Sequence, residues 1–197
     1  MLRLGITILL ISVLNTAIAE EKVAIFAGGC FWCMEKPFDE IDGVSSTISG
    51  YTGGHTNNPT YESTSTGTTG HYEAIEIKYD STKVSYEKLL DVFWKNIDPF
   101  DARGQFCDKG PQYRAAIFVA NDEEKELAEK SKQALNKKLN GKAEIVTQVL
   151  PIATFYDAED YHQNYYLENP VRYKYYRFGC GRHARLKEVD KLINGKS

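Results

Sequence analysis

Cys30 and Cys33 bracket two aromatic residues in Gly28-Gly29-Cys30-Phe31-Trp32-Cys33-Met34-Glu35, and thiols three residues apart can cycle between dithiol and disulfide. An apolar run, Val23 to Ala27, precedes them and a helical pattern at Met34, Phe38 and Ile41 follows, which puts Cys30 at a strand-to-helix turn. Free N–H groups and the positive helix end at such a turn favour the thiolate, the nucleophilic form. Phe31 and Trp32 suit a pocket for a small apolar group better than one for a charged substrate. Two buried cysteines with two core rings is the bland reading of the same stretch, and the glycines before Cys30 tip the balance towards chemistry. Pro37 fits the first turn of a helix starting near Lys36 or kinks one starting near Phe31; the sequence leaves both open.

Further polar groups gather in the segments that follow. Residues 51 to 70 are dense in Gly, Thr, Ser, Asn and Tyr without an apolar period, the composition of an ordered functional loop. Glu73 opens a strand whose Ile75, Ile77 and Tyr79 share one face. Period two puts Glu73 on that apolar face, where burial would keep it protonated as a proton donor; just outside the strand it would stand in water. Cys107 and Cys180 stand alone, so zinc, which prefers a second close cysteine pair, is not expected.

The elements that must hold these groups follow in order. Val44 to Gly50 reads as a second strand, and Ser85 caps an amphipathic helix with Tyr86, Leu89, Leu90, Phe93, Trp94 and Ile97 as its buried stripe. Tyr113 to Ala120 is a fourth strand, Asn121 starts a charged helix to about Asn140, and Ala143 to Leu150 is a fifth strand. Residues 158 to 167 form a short helix, and the tyrosine-rich run around Tyr173 to Arg182 is extended over the domain, because Pro170 and the glycines interrupt a helix. A closing helix carries Leu186, Val189 and Leu192. This order predicts an α+β fold, a two-layer sandwich of helices on a mixed sheet, with a split βαβ (ferredoxin-like) core and a long irregular C-terminal segment.

Met1-Leu2-Arg3, the apolar block Ile6 to Leu14 and Ala17-Ile18-Ala19 form a secretory signal peptide over residues 1–19, leaving residues 20–197 as one domain. The apolar block is too short to span a bilayer, which argues against stable membrane association. Lys and Arg number 24 against 27 Asp and Glu, a net charge of −3, and losing Arg3 makes the chain more acidic; nucleic acid is a poor partner for it.

Gly29-Cys30-Phe31-Trp32, Gly50-Tyr51-Thr52-Gly53-Gly54, Gly67-Thr68-Thr69-Gly70-His71-x-Glu73, Asp108-x-Gly110-x-Gln112-Tyr113-Arg114 and Tyr161-His162-Gln163, in this order, resemble the A-type peptide-methionine (S)-S-oxide reductases. The resemblance runs from about Val23 to Tyr166. It implies that Phe31 and Trp32 hold the methyl of methionine sulfoxide, that Tyr61, Tyr113 and Glu73 surround its oxygen, and that Asp108 shapes the site and its water. Cys30 would attack the sulfur and become a sulfenic acid, which a second thiol condenses to a disulfide. An external dithiol, thioredoxin or a thioredoxin-like protein, would reset it; no metal or organic cofactor would be bound, and the enzyme would act as a monomer on oxidised proteins and free methionine sulfoxide. Its signal peptide would export it, to the periplasm.

Two departures bear on the second thiol: Cys107 stands where many members have Asn, and position 33 is small in many others, whose resolving cysteine lies in the tail. Cys33 has proximity and Cys180, between two glycines, has reach; Cys107 comes third, and a relay through two of them is compatible with the spacing. A thioredoxin-like CxxC disulfide oxidoreductase would use the same pair but leaves Glu73 and the tyrosines idle. A cysteine hydrolase would pair Cys30 with His55, His71 or His162, of which His71 and His162 read more simply as structural. A non-catalytic binding module would leave the thiol unreactive.

Overall fold

A computed structural model describes residues 20–195, so the expected signal peptide lies outside the described residues. The chain starts with β1 (Glu21–Gly28), whose Ala24 to Gly28 are buried, as a strand covered on both faces should be. A single 3₁₀ turn, Phe31–Cys33, leads to α1 (Glu35–Asp39) and places Pro37 in the first turn of that helix. After β2 (Val44–Thr52), the loop is organised by α2 (Tyr61–Ser65), which Thr60 caps reciprocally with Ser63. β3 (Tyr72–Asp80) and α3 (Tyr86–Lys95) follow, the helix burying its expected stripe after a Ser85 cap.

β1, β2, β3 and β6 (Ala115–Val119) make the centre of the sheet. β3 lies between β1 and β2 and is antiparallel to both, and β6 pairs antiparallel with the other edge of β1. This is the split βαβ arrangement that the element order predicts. β4 (Gly104–Gln105) and β5 (Asp108–Lys109) form a small separate hairpin with Phe106 at φ 54° and Cys107 at its tip. α4 (Asp122–Leu139) packs a narrow edge, with Ala128 and Leu139 buried and Leu127 and Leu135 half-buried beside them, and is tied to α3 where Trp94 Nε1 donates to Ser131 Oγ at 2.9 Å.

The expected fifth strand is shorter: β7 covers Gln148–Pro151 and runs parallel to β6 at one edge of the sheet. The preceding backbone is engaged elsewhere, Val146 N–H donating to Pro99 O and Lys132 Nζ to Thr147 O. β8 (Tyr156–Asp157) closes the other edge against β2.

The C-terminal part departs most from expectation. The short helix foreseen over 158 to 167 is broken into a 3₁₀ turn, Asp160–His162, and α5 (Tyr165–Glu168), because Asn164 takes the left-handed conformation between them. The segment expected to be extended and irregular is α6 (Pro170–Gly179), followed by α7 (Arg182–Asn194). Pro170 initiates α6 at its first position, where the missing N–H has no helical partner to lose.

Arg182, 1% exposed, anchors this C-terminal part to the core. One of its terminal nitrogens donates to Gly28 O (3.2 Å) and Asn96 O (2.6 Å), and the guanidinium lies 4.3 Å from the centre of the Phe106 ring. Truncation would take this donor from the buried Gly28 carbonyl and the half-buried Asn96 carbonyl, and an orphaned buried acceptor costs about 1–3 kcal/mol. Arg182→Ala should therefore lower stability by about 3 kcal/mol or more, read as a lower urea midpoint with an unchanged slope.

Candidate active site

Cys30 lies just past the end of β1, at the foot of the 3₁₀ turn, with Cys33 N–H donating to its carbonyl at 3.0 Å. Both thiols are free and buried, Cys30 6% exposed and Cys33 1%. From the opposite side Glu73 enters on β3, 2% exposed, so the face given by its period-two position is its actual one. Its Oε2 accepts the Phe31 N–H at 3.2 Å, which joins the carboxyl directly to the cysteine turn.

Burial pushes the Glu73 carboxyl up to about 8, against the opposing pull of the Phe31 hydrogen bond. At neutral pH it therefore keeps its proton. The two sulfurs divide their protons differently from the simple helix-end expectation. A hydrogen bond from Cys30, followed by the guanidinium charges of Arg182 and Arg177, brings Cys33 down to about 6 against its burial. Burial, the Cys33 sulfur and the carboxylates of Glu73 and Asp108 push Cys30 up. The helix end at Cys30 is one 3₁₀ turn of three residues, too short to outweigh that environment, so the resting thiolate is on Cys33 and Cys30 holds the shared proton.

The structure brings the remaining candidates to the same place. Burial, then the Glu73 charge, raises the hydroxyls of Tyr61 and Tyr113, on which Cys30 also acts. Asp108, on β5, is raised by desolvation and accepts from Tyr176 Oη at 2.6 Å. Phe31 is fully buried, its ring centre 4.9 Å from His162 and 5.9 Å from Tyr51. Trp32 is partly exposed, and its Nε1 donates to His162 Nδ1 at 2.9 Å.

His162 is completely buried and its pKa is lowered by desolvation, so the neutral ring accepts from Trp32 and orients it. His71 accepts the Gly54 N–H at Nδ1 and contacts Thr56 O through Nε2, fixing the glycine loop. Both histidines therefore have structural partners. Gln163 behaves like an extra strand residue, its side-chain amide bonded to both the N–H and the carbonyl of Ser49. Glu159 ties Tyr51 Oη (2.9 Å) and the Tyr61 N–H (2.8 Å) to one carboxylate.

Several site residues escape the sequence reading. Tyr165 stacks on Trp32 at 3.7 Å and Tyr176 meets it edge-on, so α5 and α6 cover the tryptophan. Glu35 is wholly buried, accepts the Asn164 N–H at 3.1 Å and is pushed up to about 7 by burial. The signal was present for α6: Tyr173, Tyr176, Arg177 and Cys180 recur at three- and four-residue intervals behind a proline that starts helices.

Of the two candidates for a second thiol, Cys180 is already engaged. It forms a disulfide with Cys107, joining the end of α6 to the tip of the β4–β5 hairpin, and Asp108 lies 3.7 Å from each sulfur. With this outer bond intact, thiolate absorbance should rise in one step near pH 6, and Cys33→Ser should move that step upward, above the ordinary thiol range. Spectrophotometric titration of both proteins checks this; a step at an ordinary thiol pKa in the parent would contradict the shared-proton arrangement.

The family described as "Peptide methionine sulfoxide reductase" matches residues 22–192. The peptide methionine sulfoxide reductase MsrA of Bacillus subtilis (strain 168) is 54% identical over 169 residues, 86% of this chain and 96% of that one. Mxr1 from Saccharomyces cerevisiae in reduced form superposes with a TM-score of 0.71 at 32% identity, covering 80% of this chain and 92% of the yeast chain. Mxr1 in complex with Trx2 gives a TM-score of 0.52 at 25% identity over 77% and 91% of the two chains. With its sheet, its cysteine turn and nearly all of its described length accounted for by these matches, the chain belongs to the peptide methionine sulfoxide reductase family and is an oxidoreductase that reduces methionine sulfoxide.

Proposed function

We propose that Cys30 is the residue that attacks the sulfoxide sulfur, with Glu73 as proton donor, and that the substrate is the S epimer, free or in oxidised proteins. The observation that carries this reading is the buried, protonated Glu73 hydrogen-bonded to the backbone of the residue after Cys30. As Cys30 attacks, its proton passes to Cys33, and the developing sulfoxide oxygen takes a proton from Glu73, with Tyr61 and Tyr113 as further hydroxyl donors. The protonated oxygen then moves from the substrate sulfur to the Cys30 sulfur as the newly formed bond between the two sulfurs breaks, so methionine leaves, Cys30 is a sulfenic acid and Glu73 is a carboxylate. Phe31 and Trp32 hold the methyl, and Asp108 orders the polar side of the site.

Cys33 resolves the intermediate: as its sulfur attacks the Cys30 sulfur, the proton it took up passes to the departing hydroxyl, which leaves as water, and Glu73 regains its proton from solvent. The proximity and lowered pKa of Cys33 support this assignment over Cys180. Cys107 and Cys180 act as an outer couple. Exchange of their dithiol with the Cys30–Cys33 disulfide leaves two free inner thiols and one outer disulfide, the arrangement observed. A thioredoxin-like dithiol then reduces the outer bond, a role supported by the yeast relative solved with Trx2. No bound cofactor enters these steps. Export to the periplasm is part of the same reading, supported by the apolar block Ile6 to Leu14 before Ala17-Ile18-Ala19.

Mass spectrometry of a methionine sulfoxide peptide, supplied as separated S and R epimers with dithiothreitol, tests the reaction: the S epimer alone should lose one oxygen. Cys30→Ser should abolish that loss, and Cys33→Ser should slow the dithiothreitol-driven cycle while still completing one stoichiometric turnover. Full activity in Cys30→Ser would refute the assignment.

Glu73 gives a second test through stability. Its folded pKa of about 8 exceeds the ordinary carboxylate value, so the unfolded chain releases this proton first as pH rises. Stability is therefore lost between about pH 4.5 and 8, the reverse of a salt-bridged carboxylate. Glu73→Gln should melt higher than the parent at pH 7, by an amount that shrinks towards pH 4.5, while losing most of its sulfoxide reduction. Calorimetric melts across this range provide the check.

A further inference from the structure

The outer face of α6 carries exposed apolar side chains that the reaction does not use. Val171 and Tyr175 are 81% exposed and Phe178 is 85% exposed, at positions i, i+4 and i+7 of one helix face, with Leu167 of α5 60% exposed just before them. A contiguous stripe of this kind on a soluble chain marks a contact surface. It ends two residues before Cys180. Phe178 also walls a groove of about 650 Å³ with Lys174, Arg177 and His183.

Charge singles out the same segment. From Asn169 through Lys187 there are six Lys or Arg residues, Lys187 included, and no carboxylate, in a protein of net charge −3. Arg182 is buried, and Arg185 pairs with Asp98 and Glu188. Arg172 and Lys174 are exposed and have no carboxylate partner among the described residues. The stripe is therefore apolar with a basic border, and it complements an acidic protein whose reactive cysteine is ringed by apolar side chains.

The disulfide beside it indicates what that protein must do. Cys107 is exposed and Cys180 is half-buried, so an incoming thiolate reaches Cys107 more easily. We propose that the outer face of α5 and α6 is the docking surface for an acidic dithiol protein that reduces the Cys107–Cys180 bond by attacking Cys107. Its first thiolate bonds to the Cys107 sulfur and Cys180 departs as thiolate; its second thiol then displaces Cys107, leaving the partner as a disulfide and both cysteines reduced. This inference rests on the reading that the outer couple turns over.

The test compares two reductants with the full-length mature enzyme: a bacterial thioredoxin kept reduced by its reductase and NADPH, and dithiothreitol. The variants are the charge reversal Arg172→Glu with Lys174→Glu and the apolar removal Tyr175→Ser with Phe178→Ser. Each should raise the KM for thioredoxin about tenfold while leaving the dithiothreitol rate within twofold, and the charge reversal should also flatten the salt dependence of the thioredoxin reaction. An unchanged thioredoxin KM in both variants overturns the proposal. A rise instead in the KM for an oxidised protein substrate, with thioredoxin unaffected, also overturns it and assigns the surface to substrate. Cys107→Ser and Cys180→Ser separate the underlying reading: undiminished thioredoxin-driven turnover in both would mean that the outer couple is outside the cycle.

Discussion

A guanidinium cannot be buried without hydrogen-bond acceptors and nearby negative charge, and Arg182 sets that condition at the centre of this protein. Its acceptors are carbonyls at the end of β1 and after α3, so α7 is fixed both to the strand that runs into the cysteine turn and to the end of α3. Its charge also acts on the nearby sulfurs and on Asp108. The acidity of Cys33 is thus partly a consequence of how the C-terminal helix is attached. Packing and reactivity share one side chain here.

The rest of the site follows from competition between burial and pairing. Glu73 has one backbone hydrogen bond and no cation close enough to offset its desolvation, so it keeps its proton. Cys33 has a thiol donor and two guanidinium groups, so it loses its own. Neighbouring residues in the same low-dielectric pocket are pushed in opposite directions, which is the condition for one to donate a proton while the other accepts one.

The central sheet was legible in the sequence because its strands carry plain period-two or continuous apolar runs, and α3 because its stripe and Ser85 cap agree. Glu73 was legible in part: periodicity chose the face, but only the cysteine turn folding over the start of β3 makes that face a closed one. The thiolate on Cys33 was hidden, since the cations responsible lie about 150 residues away and are brought back by α6 and α7. The helix α6 is obscured in the sequence because a proline such as Pro170 is as common a helix breaker as it is an initiator. At a first helical position its ring costs nothing, and Tyr173 and Tyr176 then fall on the inner face of the helix. The pairing of Cys107 with Cys180 is beyond reading by spacing alone, as it depends on the α6 end meeting a hairpin that is only two residues long on each side.

That bond closes a loop with a sequence separation of 73 residues. Joining such distant points removes many conformations from the unfolded chain, by chain-entropy reasoning about 4 kcal/mol of stability for a loop of this size. Oxidised and reduced forms of the same protein therefore stand at different heights above their unfolded ensembles. A repair enzyme with this linkage has its firmest fold when electrons are scarce, when its own unfolding would be most damaging, and it loosens as reducing power returns.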